Sequence, residues 1–502
     1  MTRFALLAFF ICTSAVGSGA QNQPGTPSNT EPAKAPREKA PSSPIPSTMP
    51  AMDMPGMEMT PFEGPSNANR PNSAPDLLDE ARKRPAMELK DFEEMALANN
   101  PTLQMAKDLV ERSGGQARQS GLYPNPSVGY EGDEIRGGAY GGGEQGAFIQ
   151  QTIVLGGKLG LRKRVFEAQQ REDEAGVDEQ RARVLGDVEQ RFYAALAAQE
   201  ISRLRGQLAA LARDAQQTAH QLGNVGQADL PDVLQAEVEA EQAAVDYTTA
   251  QMNYLQSFES LATTAGKPAL AICLLKGELT ALPQIDSRIV ESILRDSPSV
   301  KRAQQGVAEA EAKLRSARRE AVPDLRLRAG VQQDGELLNV AAPRPAPVGI
   351  ISFASAGIDI PIFNRNQGNV AAASAELARA REEVTRVQLL LRRAAAPLLR
   401  SYLARASEAA HYQSEMIPKA TRAYQLYLSN YRQMAAAYPQ VLISQRTLFQ
   451  LQVGYLEVLE QAWQSAAALK SFALTDGLLA PLPSGSPSTS INLPGGGGPY
   501  AD

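Results

Sequence analysis

The chain has 502 residues, of which 43% are hydrophobic, 21% charged and 6% aromatic. Its 50 basic and 55 acidic side chains give a net charge of −5, so it offers no basic field that would bind nucleic acid. Its 2 cysteines and 2 histidines exclude a disulfide framework or a multi-cysteine zinc site and leave little for histidine-based chemistry.

The N-terminus has the form of a secretory signal peptide. Arg3 precedes an apolar core at 4–11, and small residues then lead to Ala20, after which cleavage is predicted. The apolar core is too short to span a bilayer as a helix, which needs about 20 residues. Cys12 follows a bulky isoleucine, which favours cleavage over lipid attachment. We therefore predict an exported protein with a signal peptide at 1–20.

Two stretches have the composition of disordered chain. Residues 21–85 are rich in Pro, Ser, Asn and Glu, and residues 477–502 are rich in Pro, Gly and Ser. Neither stretch can bury enough apolar surface to offset the entropy lost on ordering. We therefore predict a disordered leader and a disordered tail on either side of the folded part.

The leader contains a methionine cluster. Its members are Met49, Met52, Met54, Met57 and Met59. Thioether sulfur is a soft ligand that suits Cu(I) or Ag(I), so the cluster is a candidate metal contact on a flexible tether. The alternatives are a low-complexity linker that happens to contain methionine and a site of methionine oxidation.

From residue 88 onwards the sequence predicts helices and strands. Short helices precede two extended stretches at about 127–135 and 146–155, which a glycine-rich loop separates. No proline interrupts 158–222, and a continuous helix there would extend for roughly 98 Å. After a turn, a second helix runs back to about residue 265. Because no ordinary globular core contains so long a helix, we predict coiled-coil or tubular packing.

The same plan then occurs a second time. Four short segments recur in the same order, pairing 100–103 with 297–300, 122–125 with 321–324, 151–154 with 360–363, and 231–234 with 439–442. Their shared order indicates an internal duplication. We assign the first repeat to 86–285 and the second repeat to 286–476.

The predicted strands have the pattern of membrane strands. Apolar side chains alternate with polar or small ones, the apolar positions being Val128, Tyr130, Leu325, Leu327, Ala329, Val331, Ile358, Ile360 and Ile362. This is the apolar-out, polar-in period of two, although an ordinary half-buried antiparallel sheet is the alternative. Four strands cannot close a barrel and an open edge is not tolerated in lipid, so a membrane location requires an oligomer such as a trimer.

The last predicted helix has a heptad seam, with apolar or small residues at alternating spacings of three and four. The seam consists of Leu448, Leu451, Tyr455, Val458, Ala462, Ser465, Leu469 and Phe472. Such a seam packs one helix along another, as in a coiled coil, and its small members allow close approach.

This arrangement resembles the TolC-type outer-membrane efflux proteins over about 86–476. The resemblance rests on Leu-Tyr-Pro-Asn-Pro at 122–126, on Ile-Pro-Ile-Phe-Asn-Arg-Asn-Gln-Gly at 360–368, and on two helix–turn–helix tips, at 223–234 and 430–442. A second motif, Ile-Val-Leu-Gly-Gly-Lys followed by Arg162, resembles the branch of the family that serves heavy-metal efflux pumps.

The resemblance implies a mainly α protein with a small antiparallel β part, built from duplicated strand and long-helix repeats. It implies a homotrimer in which four strands per chain form a twelve-stranded outer-membrane barrel. A periplasmic α-helical coiled-coil tunnel would continue the barrel. The tips would dock on a periplasmic adaptor protein that is coupled to an inner-membrane pump.

The resemblance also gives candidate adaptor-docking or gate residues at the two tips, namely Gly223, Asp229, Asp232, Tyr438 and Gln440. In the family, the second tip commonly carries acidic residues that form a ring narrowing the tunnel. Here the matching positions are Gln440 and Ile443, whereas the first tip keeps its two aspartates. Tyr438 and Gln440 are therefore the candidates to line a constriction. The alternative is that both tips are solvated turns without a gating role.

No catalytic residue and no cofactor site is predicted, so the chain is not expected to be an enzyme. We predict a passive exit duct of a tripartite RND-type efflux system, in the outer membrane of a Gram-negative bacterium with a periplasmic extension. The predicted cargo is heavy-metal cations such as copper or silver, alternatively cobalt, zinc or cadmium. Two other functions stay open: a duct of the same fold for drugs or small organic molecules, and a soluble periplasmic coiled-coil adaptor or scaffold.

Overall fold

A computed structural model describes residues 77–133, 135, 143–226, 229–286, 288–338, 346–433 and 438–485. The predicted signal peptide and methionine cluster lie outside these residues. The described helices are α1 (Leu77–Arg82), α2 (Leu89–Asn99), α3 (Pro101–Ser120), α4 (Lys158–Asn224), α5 (Leu230–Thr264), α6 (Ile289–Asp296), α7 (Pro298–Arg319), α8 (Gln367–His411), α9 (Ile417–Arg432) and α10 (Tyr438–Lys470). The described strands are β1 (Met87–Glu88), β2 (Ser127–Asp133), β3 (Glu144–Ile153), β4 (Leu275–Lys276), β5 (Leu325–Leu338) and β6 (Ala346–Ile358).

The predicted long helix is confirmed. α4 has 67 residues and extends for about 100 Å, because good helix formers fill it and no proline interrupts it. α5 then packs back along α4. In the second repeat, α8 continues through one π-helical turn, Tyr412–Met416, into α9. Within the described part of the chain, no helix combines the length and the apolar character needed to cross a membrane.

The internal duplication is visible in how corresponding helices begin. α3 and α7 both start with proline, at the first helical position where its missing N–H costs nothing. Asn100 and Ser297 are their N-cap residues. α4 and α8 both start after a residue in the left-handed conformation, Gly157 with φ 69° and Asn366 with φ 61°. The two repeats therefore share their local backbone geometry as well as their order of elements.

The strands of both repeats form one antiparallel sheet in the order β2-β3-β5-β6, so the two hairpins lie side by side. β2 and β3 occur within two residues of the predicted stretches. The prediction that alternation continues through Ile360 and Ile362 is wrong, because β6 ends at Ile358. Pro361 lacks the N–H that a ladder needs, and the Ile362 N–H instead donates to the Ile360 carbonyl at 2.9 Å.

Two apolar clusters hold the helices together. In the first, the ring of Phe92 lies 6.0 Å from that of Phe192 and 6.2 Å from that of Phe258, measured between centroids. Cys273 is buried in the same cluster, as predicted. The second cluster, which includes Val300 from the second repeat, lies between α6, α7, α8 and α10. Each repeat thus brings its own short helices against a long one.

The heptad seam of α10 is buried over most of its length. Leu448, Val458, Ala462 and Leu469 are all shielded from solvent, as a helix-packing seam requires. The assignment of Phe472 to this seam is wrong, because α10 ends at Lys470 and Phe472 has a φ of 58°. The chain turns there instead of continuing the helix.

The last described residues, 475–485, form what we name the C-terminal strap. The Gly477 N–H donates to a carboxylate oxygen of Asp187 at 3.0 Å, and the Gly485 N–H donates to Glu172 at 3.2 Å. The prediction of disorder is therefore wrong for 477–485. It is also wrong for α1, a helix whose Leu78 and Ala81 are buried. The strap is held through its main chain by side chains of the helices, which a composition-based prediction does not detect.

A close contact between α4 and the residue that follows α10 gives a test of the packing. A Cβ atom built on Gly186 would lie 2.1 Å from the Cβ of Ser471. We expect Gly186→Ala to lower the free energy of unfolding by about 1–3 kcal/mol, since overpacking outweighs the better helix propensity of alanine. Thermal unfolding of the purified protein measures the change. Gly115→Ala in α3 is the control, because nothing lies within 4 Å of its Cβ position. Equal stability of the two variants would contradict the contact.

Candidate channel surfaces and helical tips

One face of the four-stranded sheet is apolar and exposed. This apolar face carries Val128, Tyr130, Ala147, Ile149, Leu327, Ala329, Val331 and Ile350, which the strand register places on the same side together with Gln145, Gln151, Gln333 and Ser352. The exposed fraction reaches 77% for Val128 and 78% for Ile350. Contiguous apolar surface of this kind is rare on a water-soluble protein. The face therefore has the character of a surface that contacts lipid.

The opposite face is polar, and its side chains cover one another. This polar face includes Glu131, Asp133, Glu144, Phe148, Thr152, Arg326, Arg328, Gln332, Asp334 and Phe353. Arg328 forms an ion pair with Glu131, and Gln332 donates to Glu144. The predicted alternation of apolar and polar side chains is thus confirmed for β2 and β5. A water-soluble sheet would show the reverse arrangement, with its apolar face covered and its polar face exposed.

The heavy-metal-branch motif lies where β3 leads into α4. Lys158, which is 3% exposed, places its Nζ 2.7 Å from a carboxylate oxygen of Asp324 and donates to the Val322 carbonyl at 2.9 Å. One turn further along, Arg162 pairs with Glu320 at 2.6 Å. Gly156 has a φ of 70°, and a Cβ there would lie 2.9 Å from Val322. The motif therefore joins the end of the first hairpin to the start of the second.

The first tip joins α4 to α5. Gly223 approaches Val233 so closely that a Cβ on the glycine would lie 3.0 Å from a methyl group of that valine. Asp229 is the N-cap of α5, and Asp232 lies in its first turn. Further along the helix pair, His220 Nε2 lies 2.9 Å from a carboxylate oxygen of Glu237. The two predicted aspartates are thus close together at the start of one helix.

The second tip joins α9 to α10, and its residues 434–437 lie outside the described part of the chain. α10 begins at Tyr438, and Gln440 is exposed in its first turn. An ion pair of 2.9 Å between Arg446 of α10 and Glu239 of α5 connects the two helix pairs. The roles predicted for these tip residues in docking or gating stay predictions.

Buried polar side chains of α4 form a second feature. Glu172 is 6% exposed, and one of its carboxylate oxygens has no hydrogen-bond partner among the described residues. The pKa of Glu172 is raised to about 7, chiefly because burial penalises the charged form, with smaller contributions from the nearby carboxylates of Glu309 and Asp173. The described residues contain no group of three or more His, Cys, Asp or Glu side chains that could hold a metal ion.

Sequence reasoning missed the aromatic residues of the polar face. Phe148 and Phe353 each lie over a glycine of the neighbouring strand, Gly129 and Gly330 respectively. A signal was present, because a glycine and a phenylalanine recur at similar places in both hairpins. The four repeated segments that indicate the duplication lie at helix starts, turns and strand ends, and none of them includes this glycine and phenylalanine.

The exposed apolar face, the long helices and the duplicated plan together define an outer-membrane channel. A family model described as "Outer membrane efflux protein" matches residues 94–267 and 289–473, which is more than half of the chain. The chain belongs to this family. It is accordingly an outer-membrane efflux channel and not an enzyme.

Known relatives agree with this assignment. The cobalt-zinc-cadmium resistance protein CzcC of Cupriavidus metallidurans is 25% identical over 376 residues, which are 75% of this chain and 87% of the relative. The crystal structure of a membrane protein from Pseudomonas aeruginosa matches with a TM-score of 0.63 and 18% identity, covering 76% of this chain and 92% of that one. A structure of CusC, a transmembrane channel, matches with a TM-score of 0.60 and 18% identity, covering 77% and 90%. The resemblance to the heavy-metal branch and the fold class are confirmed.

Proposed function

We propose that three copies of the chain form the exit duct of a tripartite RND-type efflux system in the outer membrane of a Gram-negative bacterium. The observation that carries this proposal is the exposed apolar face of the sheet. In the described chain, β2 and β6 are the edge strands, and open edges are not tolerated in lipid. Three sheets joined edge to edge would remove these edges and give a twelve-stranded barrel with the polar face inside.

We propose that the helical tips dock on a periplasmic adaptor, which couples the duct to an inner-membrane RND pump. The first tip exposes large apolar side chains, with Val225 68%, Leu230 70% and Leu234 50% exposed. Exposed apolar clusters of this kind mark contact surfaces for other proteins. Gly223, Asp229 and Asp232 of this tip, and Tyr438 and Gln440 of the second, are the residues proposed for docking or gating.

The proposed cargo is heavy-metal cations. The name of the Cupriavidus relative supports cobalt, zinc and cadmium. The five methionines at 49–59 support copper or silver instead, because thioether sulfur prefers soft ions. No specific observation favours a duct for drugs, and a soluble periplasmic scaffold does not agree with membership in an outer-membrane family.

Growth assays test the cargo, and fractionation tests the duct. In a strain lacking this gene, plasmids supply the full chain, a variant without 49–59, or nothing. We expect the empty plasmid to lower tolerance to at least one of cobalt, zinc, cadmium, copper and silver, with unchanged tolerance to organic drugs. The variant without 49–59 should lose tolerance only to copper and silver. Equal growth of all three strains on every metal would contradict the proposal that the cargo is heavy-metal cations. Absence of trimers from the outer-membrane fraction would contradict the proposal that three copies form a duct.

A further inference from the structure

A row of alternating glycine and phenylalanine crosses the polar face of the sheet. Gly129 of β2 is paired with Phe148 of β3, which is paired with Gly330 of β5, which is paired with Phe353 of β6. A Cβ on Gly129 would lie 2.5 Å from the Phe148 ring, and a Cβ on Gly330 would lie 2.6 Å from the Phe353 ring. Each ring therefore lies across a neighbouring strand in space that only glycine leaves free.

Arg328 adds a second layer above this row. Its guanidinium carbon lies 4.1 Å from the ring centroid of Phe148 and 5.5 Å from that of Phe353, which are distances of cation–π contact. The same guanidinium pairs with Glu131, so the side chain extends from β5 over β3 towards β2. Rings and guanidinium together form a layered cluster, which we name the collar: Glu131, Phe148, Arg328 and Phe353.

We propose that the collar sets the size limit for solutes in the strand-lined part of the duct. This inference rests on the proposed function, in which the polar face lines the lumen. Barrels of eight strands are filled by side chains and those of sixteen or more leave an open channel, so at twelve strands the inward side chains decide the free width. The ion pair with Glu131 neutralises Arg328. The collar therefore acts through its bulk and not through its charge.

Cysteine reporters on the two sides of the collar test this inference in intact cells. Asp133→Cys lies on the loop side and Thr152→Cys on the helix side, both on the polar face. Cys273 is buried and gives little background. Small and bulky thiol reagents are added from outside, so the periplasmic end of the tunnel does not affect the result.

Each reporter is combined with the native collar, with Arg328→Ala, and with Arg328→Ala/Glu131→Ala, which leaves no unpaired carboxylate. Arg326→Ala is the matched control, because Arg326 pairs with Asp359 and lies over no ring in the described structure.

We expect the small reagent to label both reporters in every background. The bulky reagent should label Asp133→Cys in every background, but Thr152→Cys at least about tenfold more slowly while the collar is intact. Either Arg328 variant should remove this difference, and Arg326→Ala should retain it. If the bulky reagent labels both reporters at the same rate in the chain with the native collar, the size limit proposed for the collar is overturned, whereas the proposed duct is not. If the bulky reagent already fails to label Asp133→Cys, the size limit proposed for the collar is also overturned, because the barrier would then lie on the loop side of this reporter. Failure of the small reagent to label Thr152→Cys would instead contradict the duct.

Discussion

Replacement of Val331 by arginine is expected to prevent assembly of the channel in the outer membrane. Val331 lies on the apolar face of β5, directly between Ala147 of β3 and Ser352 of β6, and is 55% exposed. An arginine on the lipid face of a membrane strand costs about 2–4 kcal/mol near the bilayer midplane. Every copy in an assembled duct would carry this cost. We therefore expect little or no trimer in the outer-membrane fraction.

The adjacent residue gives a matched control. Gln332 lies on the polar face, where its side chain donates to Glu144. Gln332→Arg introduces the same charge one residue away, and its guanidinium can pair with that carboxylate. We expect this variant to assemble like the parent chain. Heat-modifiable migration on gels and membrane fractionation measure both outcomes. Normal assembly of Val331→Arg would show that the apolar face does not contact lipid.

Removal of the charge on Glu172 is expected to stabilise the protein above neutral pH. The pKa of Glu172 is about 7 in the folded chain, against an ordinary value of 4.5, chiefly because burial penalises the charged form. The folded state therefore binds this proton more tightly than the unfolded state. The contribution of this bound proton to the free energy of unfolding is fully present below about pH 4.5 and is lost as the pH rises to about 7. Above about pH 7, the free energy of unfolding is lower by about 3 kcal/mol for this reason.

Glu172→Gln keeps the shape of the side chain and the oxygen that accepts from the Gly485 N–H. We expect the variant to unfold at a higher temperature than the parent at pH 8, and at nearly the same temperature at pH 4.5. Glu174→Gln, two residues along α4 and exposed, should leave the pH dependence unchanged. Parallel melting profiles of Glu172→Gln and the parent across this pH range would contradict the raised pKa.

Local patterns in the sequence were enough to predict most elements of the fold. The absence of proline over 158–222 predicts α4 to within two residues at its C-terminal end, and alternation at Val128 and Tyr130 identifies β2 with its apolar side. These features depend on spacing within one segment. Pro101 and Pro298 likewise mark equivalent helix starts, because proline fits the first turn of a helix wherever it occurs.

Features that depend on contacts between distant segments were not predictable in this way. The C-terminal strap has the composition of disordered chain, yet Arg302 donates to the Leu482 carbonyl at 2.7 Å and Gln180 donates to the Leu479 carbonyl at 3.0 Å. The position of Arg328 above Phe148 depends on the pairing of strands from different repeats. The raised pKa of Glu172 depends on burial that α4 alone does not provide.

The C-terminal strap has a consequence for the order in which the protein is made. Asn100, near the start of the first repeat, donates its side-chain N–H to the carbonyl of Gly477, and 377 positions separate the two residues. The ribosome adds Asn100 to the chain hundreds of peptide bonds before it adds Gly477. The first repeat thus reaches its final hydrogen bonding only after synthesis is nearly complete. A chain that terminates before the strap leaves Glu172, Gln180 and Asp187 of α4 without the hydrogen bonds that they form with it, so unfinished copies differ chemically from finished ones before any of them assemble.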